Sequence, residues 1–343
     1  MAHRQAHREA VAAQRSYSTH MQQRPLGRSG LMVSRLGLGT MTWGLDTDPD
    51  DAGAQLKAFA DAGGTLVDTA DVYAAGEAEA VLGTLLDAMV PRDDLIIVAK
   101  AGLRAREGRR HDGSRGHLLK ALDSTLKKLG TSYVDIWLAH GWDPFTPMEE
   151  TLAALDFAVS SGRVRYAGVS NYSGWQTARA ATWQQAWPQR VPLVASQMEY
   201  SLLQRGIERE VIPACEALGI GVLPWSPLGR GVLTGKYRHD RPADSRAAQP
   251  HFERFVLPYL RPHCSAIVES LATAASGLCV TPTEIALAWV RDRPGVTAPI
   301  LGARTVAQLM TALQTEEVVL PAEIAQALDD VSAVGLSYPE LEG

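Results

Sequence analysis

The sequence predicts an α/β protein built as a (β/α)8 TIM barrel with an N-terminal hairpin and an extra C-terminal helix. Three observations lead there. From Leu36 onward, short apolar runs alternate with stretches of helical period, the pattern of βα units around a parallel sheet. The runs number eight, the count that closes such a barrel. The 343 residues, 46% hydrophobic and 21% charged, suit a barrel of about 250 residues with insertions, although length alone also allows two average domains.

Taken in order, Met1–Gln23 is rich in Ala, Arg, His and Gln, with Glu9 as its single acid. It reads as a disordered leader or tag, ahead of a transit peptide, which leaves 24–343 as one barrel domain. Pro25–Ser34, carrying Gly27 and Gly30, predicts a hairpin that closes the barrel floor. Strands are expected at Leu36–Leu38, Leu66–Val67, Leu95–Ala99, Val134–Leu138, Val164–Val169, Val194–Gln197, Gly221–Leu223 and Ala298–Leu301. Helices are expected at Gln55–Ala62, Glu77–Met89, Arg115–Leu129, Met148–Ser160, Trp175–Trp187, Ile207–Leu218, Thr283–Asp292 and Thr305–Leu313. Spacings such as Leu118, Leu119, Leu122, Leu126 and Leu129 line one helix face. Pro321–Val334 predicts the extra terminal helix, and Gly229–Pro262 is the longest stretch without clear periodicity. Loops of that length are usually functional or disordered.

A formal charge of -5 and a pI near 6.0 leave no electrostatic footprint for nucleic acid or an anionic membrane surface. A small-molecule partner is the expectation, with monomer and homo-oligomer both open. The three cysteines, Cys215, Cys264 and Cys279, have neither CxxC spacing nor an even count, which argues against disulfides or a metal site and for a reducing cytoplasm. No apolar run approaches the roughly 20 residues of a membrane-spanning helix.

Barrel active sites lie at the C-terminal strand ends. The second strand continues through Asp68-Thr69-Ala70-Asp71-Val72-Tyr73, the third ends in Val98-Ala99-Lys100, and the fourth in Leu138-Ala139-His140. An acid, a phenol, an amine and an imidazole therefore converge, which suits carbonyl reduction. As hydride reaches the carbonyl carbon, charge builds on oxygen and a proton donor must meet it. Tyr73 would donate. A free phenol has a pKa of about 10, and Lys100 is expected to lower it while Asp68 holds the lysine. His140 would orient the substrate oxygen or share the proton. Each residue alone has a bland reading: a partner for backbone amides, a packing tyrosine, a solvated strand end, a core histidine. Their joint placement favours the chemical one.

Together with Leu36-Gly37-Leu38-Gly39-Thr40-Met41, Gly168-Val169-Ser170-Asn171, Trp225-Ser226-Pro227-Leu228 and Gly231-Val232-Leu233-Thr234-Gly235-Lys236-Tyr237, these segments resemble the aldo-keto reductases over about Pro25 to Leu328. The resemblance implies an NADPH-dependent barrel reductase whose catalytic tetrad is Asp68, Tyr73, Lys100 and His140. It further implies Gly39, Thr40 and Met41 near the nicotinamide, with Ser170, Asn171 and Gln197 bonding its carboxamide and Trp225 stacked on its ring. Ser226, Leu228, Gly231, Leu233 and Lys236 would cradle the pyrophosphate. Gly302, Ala303 and Arg304 open the last helix, where Arg304 suits a 2′-phosphate and Gln308 adenine. Trp43, Trp142, Tyr73 and His140 would bound an apolar substrate mouth. Three positions depart from the family pattern: Thr311 and Ala312 replace an acid and an asparagine near adenine, and Ala78 replaces a serine. No GxGxxG follows the first strand, so a Rossmann site is disfavoured.

Two other readings compete. Potassium-channel β subunits resemble these reductases, so a nucleotide-binding regulatory subunit is one. A non-redox barrel enzyme such as a lyase is the other; it would have no use for the nicotinamide-side set Ser170, Asn171 and Gln197.

Overall fold

The computed structural model describes residues 21–106, 109–243 and 245–335. Eight parallel strands form the barrel: β1 Gly37–Gly39, β2 Leu66–Asp68, β3 Ile96–Ala101, β4 Val134–Ala139, β5 Val164–Ser170, β6 Leu193–Glu199, β7 Gly221–Trp225 and β8 Ile300–Leu301. Consecutive strands pair, and β8 pairs with β1 through Ile300↔Gly37. Closure between β7 and β8 is a single bridge, Val222↔Val296, with the Thr297 N–H donating to the Val222 carbonyl at 2.8 Å.

Strand alternation explains the two apolar regions. Leu66, Val98, Ile136, Leu138, Ala195 and Leu223 point into the barrel. Val67, Ile97, Ala99 and Trp137 point outward beneath the helices, so both faces are buried and the strands read as continuous apolar runs. The hairpin Gln23–Pro25/Met32–Ser34 plugs the floor with Leu26 and Val33. Gly27 makes its turn at φ +56°, where a Cβ would lie 2.4 Å from the Gly219 carbonyl oxygen. Only glycine fits there.

The outer helices are α1 Pro49–Asp61, α2 Glu77–Leu85, α3 Arg115–Leu129, α4 Met148–Ser160, α5 Gly174–Gln185, α6 Val211–Leu218, α7 Pro250–Val256, α8 Pro262–Leu278, α9 Pro282–Arg291, α10 Val306–Leu313 and α11 Ala322–Val331. Their starts follow local chemistry. The Asp48 carboxylate caps the Asp51 N–H at 2.9 Å, and Thr281 with Glu284 forms a capping box ahead of α9.

Several expectations need correction. The tail does not reach Gln23: Met21 is buried, its N–H donates to Ala62 O at 3.0 Å, and Gln23 begins the floor hairpin. Residues 1–20 lie outside those described. The helix expected over Ile207–Leu218 is a 3-10 turn, Gly206–Glu208, followed by α6. The last strand shortens to Ile300–Leu301, although Ala298 stays in the core. Gly229–Pro262 is not structureless; it holds a 3-10 turn at Gly229–Thr234 and the short helix α7. The 17-residue α8 was not anticipated, yet Cys264, Ile267, Val268, Leu271 and Ala275 bury one face at helical spacing. Also new is a second hairpin, Leu103–Arg106/Arg109–His111, that leaves β3 at the mouth of the barrel. Among the described residues no single helix is long and apolar enough to cross a membrane.

Candidate active site

The C-terminal strand ends open into a cavity of about 650 Å³, 

lined by residues from all around the ring. Asp68 ends β2, Lys100 lies in β3, His140 follows β4, Ser170 ends β5, Gln197 lies in β6 and Trp225 ends β7. Parallel register brings these ends to one level: Asp68 pairs with Val98 and Lys100 with Leu138. Tyr73 follows β2 after a short loop. Ala74, Ala75 and Gly76 then take left-handed φ values of 48°, 56° and 96° and turn the chain into α2. A run of non-glycine residues in that region is strained, and such strain collects at functional sites.

The polar network is tight. Lys100 Nζ donates to Asp68 Oδ1 at 2.6 Å and to the Thr69 carbonyl at 2.8 Å, while Gln197 Nε2 donates to Asp68 Oδ2 at 2.6 Å. Lys100 is wholly buried behind Asp68, and its ammonium lies 4.9 Å from the centre of the Tyr73 ring. The Tyr73 and His140 rings meet edge to face at 6.2 Å. Burial lowers the Lys100 pKa, opposed by Asp68. His140 is held well below its usual value by burial, then by the charge of Lys100 and by His111, so its imidazole is neutral near pH 7.

Tyr73 departs from expectation. Its phenol is pushed well above 10, first by burial and then by the charges of Asp68 and Asp71. The acidification expected from Lys100 is outweighed by desolvation and by the carboxylates of Asp68 and Asp71. The phenol is protonated across the neutral range, the state a proton donor needs.

On the opposite side of the mouth, Trp225 Nε1 donates to Asn171 Oδ1 at 3.1 Å, and Asn171 Nδ2 donates to the His140 carbonyl at 2.9 Å. The Ser170 hydroxyl donates to the Gln197 carbonyl at 2.9 Å. Asn171 and Ser226 sit at φ 57° and 52°, left-handed for non-glycine residues at strand ends. Gly39, Met41, Ser226, Leu228 and Gly231 line the same cavity.

Its far end is cationic. Lys236, Arg246 and Arg304 line it beside Gly231 and Gly302. A Cβ on Gly231 would meet Lys236 Nζ at 3.4 Å, and one on Gly302 would meet Arg246 Nη2 at 3.6 Å, so cationic groups lie against bare backbone. Burial and Arg304 both lower the Arg246 pKa, while Asp46 and Tyr237 oppose them. Crowded cations beside glycine backbone form a donor set that fits phosphates. Gln308 lines this end too, its side-chain oxygen accepting from the Arg304 N–H at 3.0 Å.

Some anticipated residues stand elsewhere. Trp43 is wholly buried with its indole N–H on Gln55 Oε1 at 3.4 Å, and it does not line the cavity. Trp142 packs edge-on to Tyr172 and Trp175, also off the lining. Thr40 and Leu233 are buried behind it, with the Thr40 hydroxyl donating to the Asp68 carbonyl at 3.1 Å. Conversely, Arg246, Arg230, Phe255 and the mouth hairpin's Leu103, Arg110 and His111 line the cavity without having been foreseen. Arg230 pairs with Glu199 at 2.7 Å and stacks 3.7 Å from the Phe255 ring, tying α7 over the mouth. A cluster of basic residues in the aperiodic stretch was the only sequence signal for Arg246.

Comparison with known proteins agrees with this geometry. The Aldo/keto reductase family model matches residues 35–333. A "Probable voltage-gated potassium channel subunit beta" of Oryza sativa subsp. japonica is 35% identical, covering 93% of this chain and 98% of the relative. "Uncharacterized oxidoreductase YrpG" of Bacillus subtilis (strain 168) is 34% identical over 89% of this chain and 94% of the relative. A second "Probable voltage-gated potassium channel subunit beta", of Arabidopsis thaliana, is 33% identical with coverage of 93% and 98%. With a barrel, a strand-end polar network and a match over most of its length, this chain belongs to the aldo/keto reductase family.

Proposed function

We propose that this chain reduces aldehydes or ketones to alcohols with NADPH, with Tyr73 as the proton donor. The observation that carries the reading is the junction in one cavity of half-buried Tyr73 and buried Lys100, Asp68 and His140 with a cationic, glycine-backed end.

Lys236, Arg246 and Arg304 would hold the phosphates, and Ser170, Asn171 and Gln197 the carboxamide. Bound there, a reduced nicotinamide supplies hydride to the carbonyl carbon. The residues do the rest. Tyr73, kept protonated by desolvation of its phenol and by the charges of Asp68 and Asp71, donates its proton to the oxygen as charge grows on it. Neutral His140 offers the same oxygen a hydrogen bond. Lys100, fixed by Asp68, stabilises the phenolate left behind, because its ammonium lies 4.9 Å from the ring centre. The apolar surroundings that raise the phenol pKa also keep water from competing for that proton.

The test is NADPH oxidation over a panel of aldehydes and ketones, repeated with NADH. A panel with no turnover beyond one equivalent of bound nucleotide would refute catalysis. That outcome favours the second reading, a nucleotide-binding regulatory subunit, which the two channel-subunit relatives support.

A further inference from the structure

Past Tyr73 and His140 the cavity reaches the mouth hairpin, where Leu103, Arg110 and His111 form its wall. Barrel order sets this wall apart from the phosphate end. The hairpin leaves β3 and meets the β4 loop, whereas Lys236 follows β7 and Arg304 follows β8, across the ring. The His111 ring lies on Gly141, where a Cβ would come within 2.3 Å of His111 Cε1. A glycine directly after His140 is what admits that imidazole.

Arg110 is exposed to the cavity and has no carboxylate at ion-pair distance among the described residues. Other cations near the reacting end are committed: Lys100 to Asp68 at 2.6 Å and Arg230 to Glu199 at 2.7 Å. The acid whose charge acts on His111 is Asp143, and it is engaged. It accepts from the Gly113 N–H at 2.9 Å, the Phe145 N–H at 3.0 Å and the Thr146 hydroxyl at 2.6 Å. A guanidinium on this wall, away from the residues that would hold the nucleotide phosphates, is placed to meet an anion carried by the substrate. One planar fork matches a carboxylate; a phosphate dianion would call for a second cation.

We propose that the substrate is an oxo-acid, a carbonyl compound whose carboxylate is received by Arg110 beside His111 while its carbonyl lies against Tyr73 and His140. This rests on the reductase reading and narrows its substrate class. The test uses the purified full chain with NADPH and ω-oxo acids of about four to six carbons, each against its neutral methyl ester. For at least one length the acid should be favoured in kcat/KM by about tenfold, mainly through KM, as a charge-assisted contact at an exposed site allows. Salt at about 0.5 M should narrow the ratio. In Arg110→Gln the ratio should fall toward one, and Arg110→Lys should keep part of it. Esters reduced as well as acids at every length would overturn the oxo-acid inference and leave the reductase reading intact. Acid preference persisting in Arg110→Gln would overturn it too. If no carbonyl is reduced, both fail.

Discussion

Asp71 lies between Asp68 and Tyr73, and its titration should be visible in stability. Its N–H donates to the Lys100 carbonyl at 3.2 Å, and its Oδ1 is buried without a hydrogen-bond partner among the described residues. Burial and then the charge of Glu79 raise its carboxyl from 3.8 to about 7, against the Val72 amide and the charges of Lys128 and Lys100. Glu79 itself is fully buried on the Thr125 hydroxyl at 2.7 Å and Lys128 at 3.3 Å, so it stays close. Between these two pKa values the folded chain holds a proton that the unfolded chain has released. Stability therefore falls as pH rises through that window, and the loss is complete above about 7. A rise from 3.8 to about 7 corresponds to about 4 kcal/mol at 1.36 kcal/mol per pKa unit. Partial solvent access reduces this to about 2 kcal/mol. Asp71→Asn stays neutral and still accepts from Val72, so its advantage over the parent should grow by about 1 kcal/mol between pH 5 and pH 8.5, the part of the window above pH 5. Urea midpoints followed by tryptophan fluorescence at the two pH values measure it. An advantage that does not grow with pH, or a variant that loses stability at pH 8.5, would refute the argument that this carboxyl is held protonated by its surroundings.

Tyr73→Phe should fold and bind NADPH while kcat falls about 10²- to 10⁴-fold; near-normal single-turnover rates would remove Tyr73 as the acid. Lys100→Met leaves the Asp68 carboxylate buried with Gln197 as its remaining side-chain donor, and should cost about 3–5 kcal/mol by urea unfolding. Adding Asp68→Asn should recover part of that loss, and a double variant no more stable than the single one contradicts the buried-charge account. Arg304→Ala should weaken NADPH binding about tenfold or more and leave NADH nearly unchanged in a fluorescence titration, because a charge-assisted contact of about 1.5–3 kcal/mol is lost for one cofactor alone. Equal weakening of both would show that Arg304 does not read the 2′-phosphate.

Much of the barrel could be read from the chain because its signals are local. In β4 every residue from Val134 to Ala139 is buried, and in α3 Leu118, Leu122, Leu126 and Leu129 recur at helical spacing, so a window of a few residues determines each element. Even α8 had a legible face; its Ala-, Ser- and Thr-rich remainder lowers the contrast between buried and exposed sides. The strand-end polar residues were legible for a related reason. In a closed parallel barrel every strand ends on the same face, so a residue's place after an apolar run already decides which end of the molecule it occupies.

What the chain could not disclose by itself depends on residues distant in sequence. Whether the Trp43 indole faces substrate or core is decided by Gln55 and the α1 helix it packs beneath. Arg246 meets Arg304 because the crossover between β7 and β8 folds back over the cavity. The hairpin carrying Arg110 and His111 rests on the accident of a glycine at 141. Most of all, the direction of the Tyr73 pKa was set by tertiary structure. Sequence supplied the ammonium of Lys100, but desolvation and Coulomb energy depend on depth and distance, and the fold desolvated the phenol and brought the carboxylates of Asp68 and Asp71 alongside. Periodicity reports on neighbours along the chain; electrostatics sums over neighbours in space.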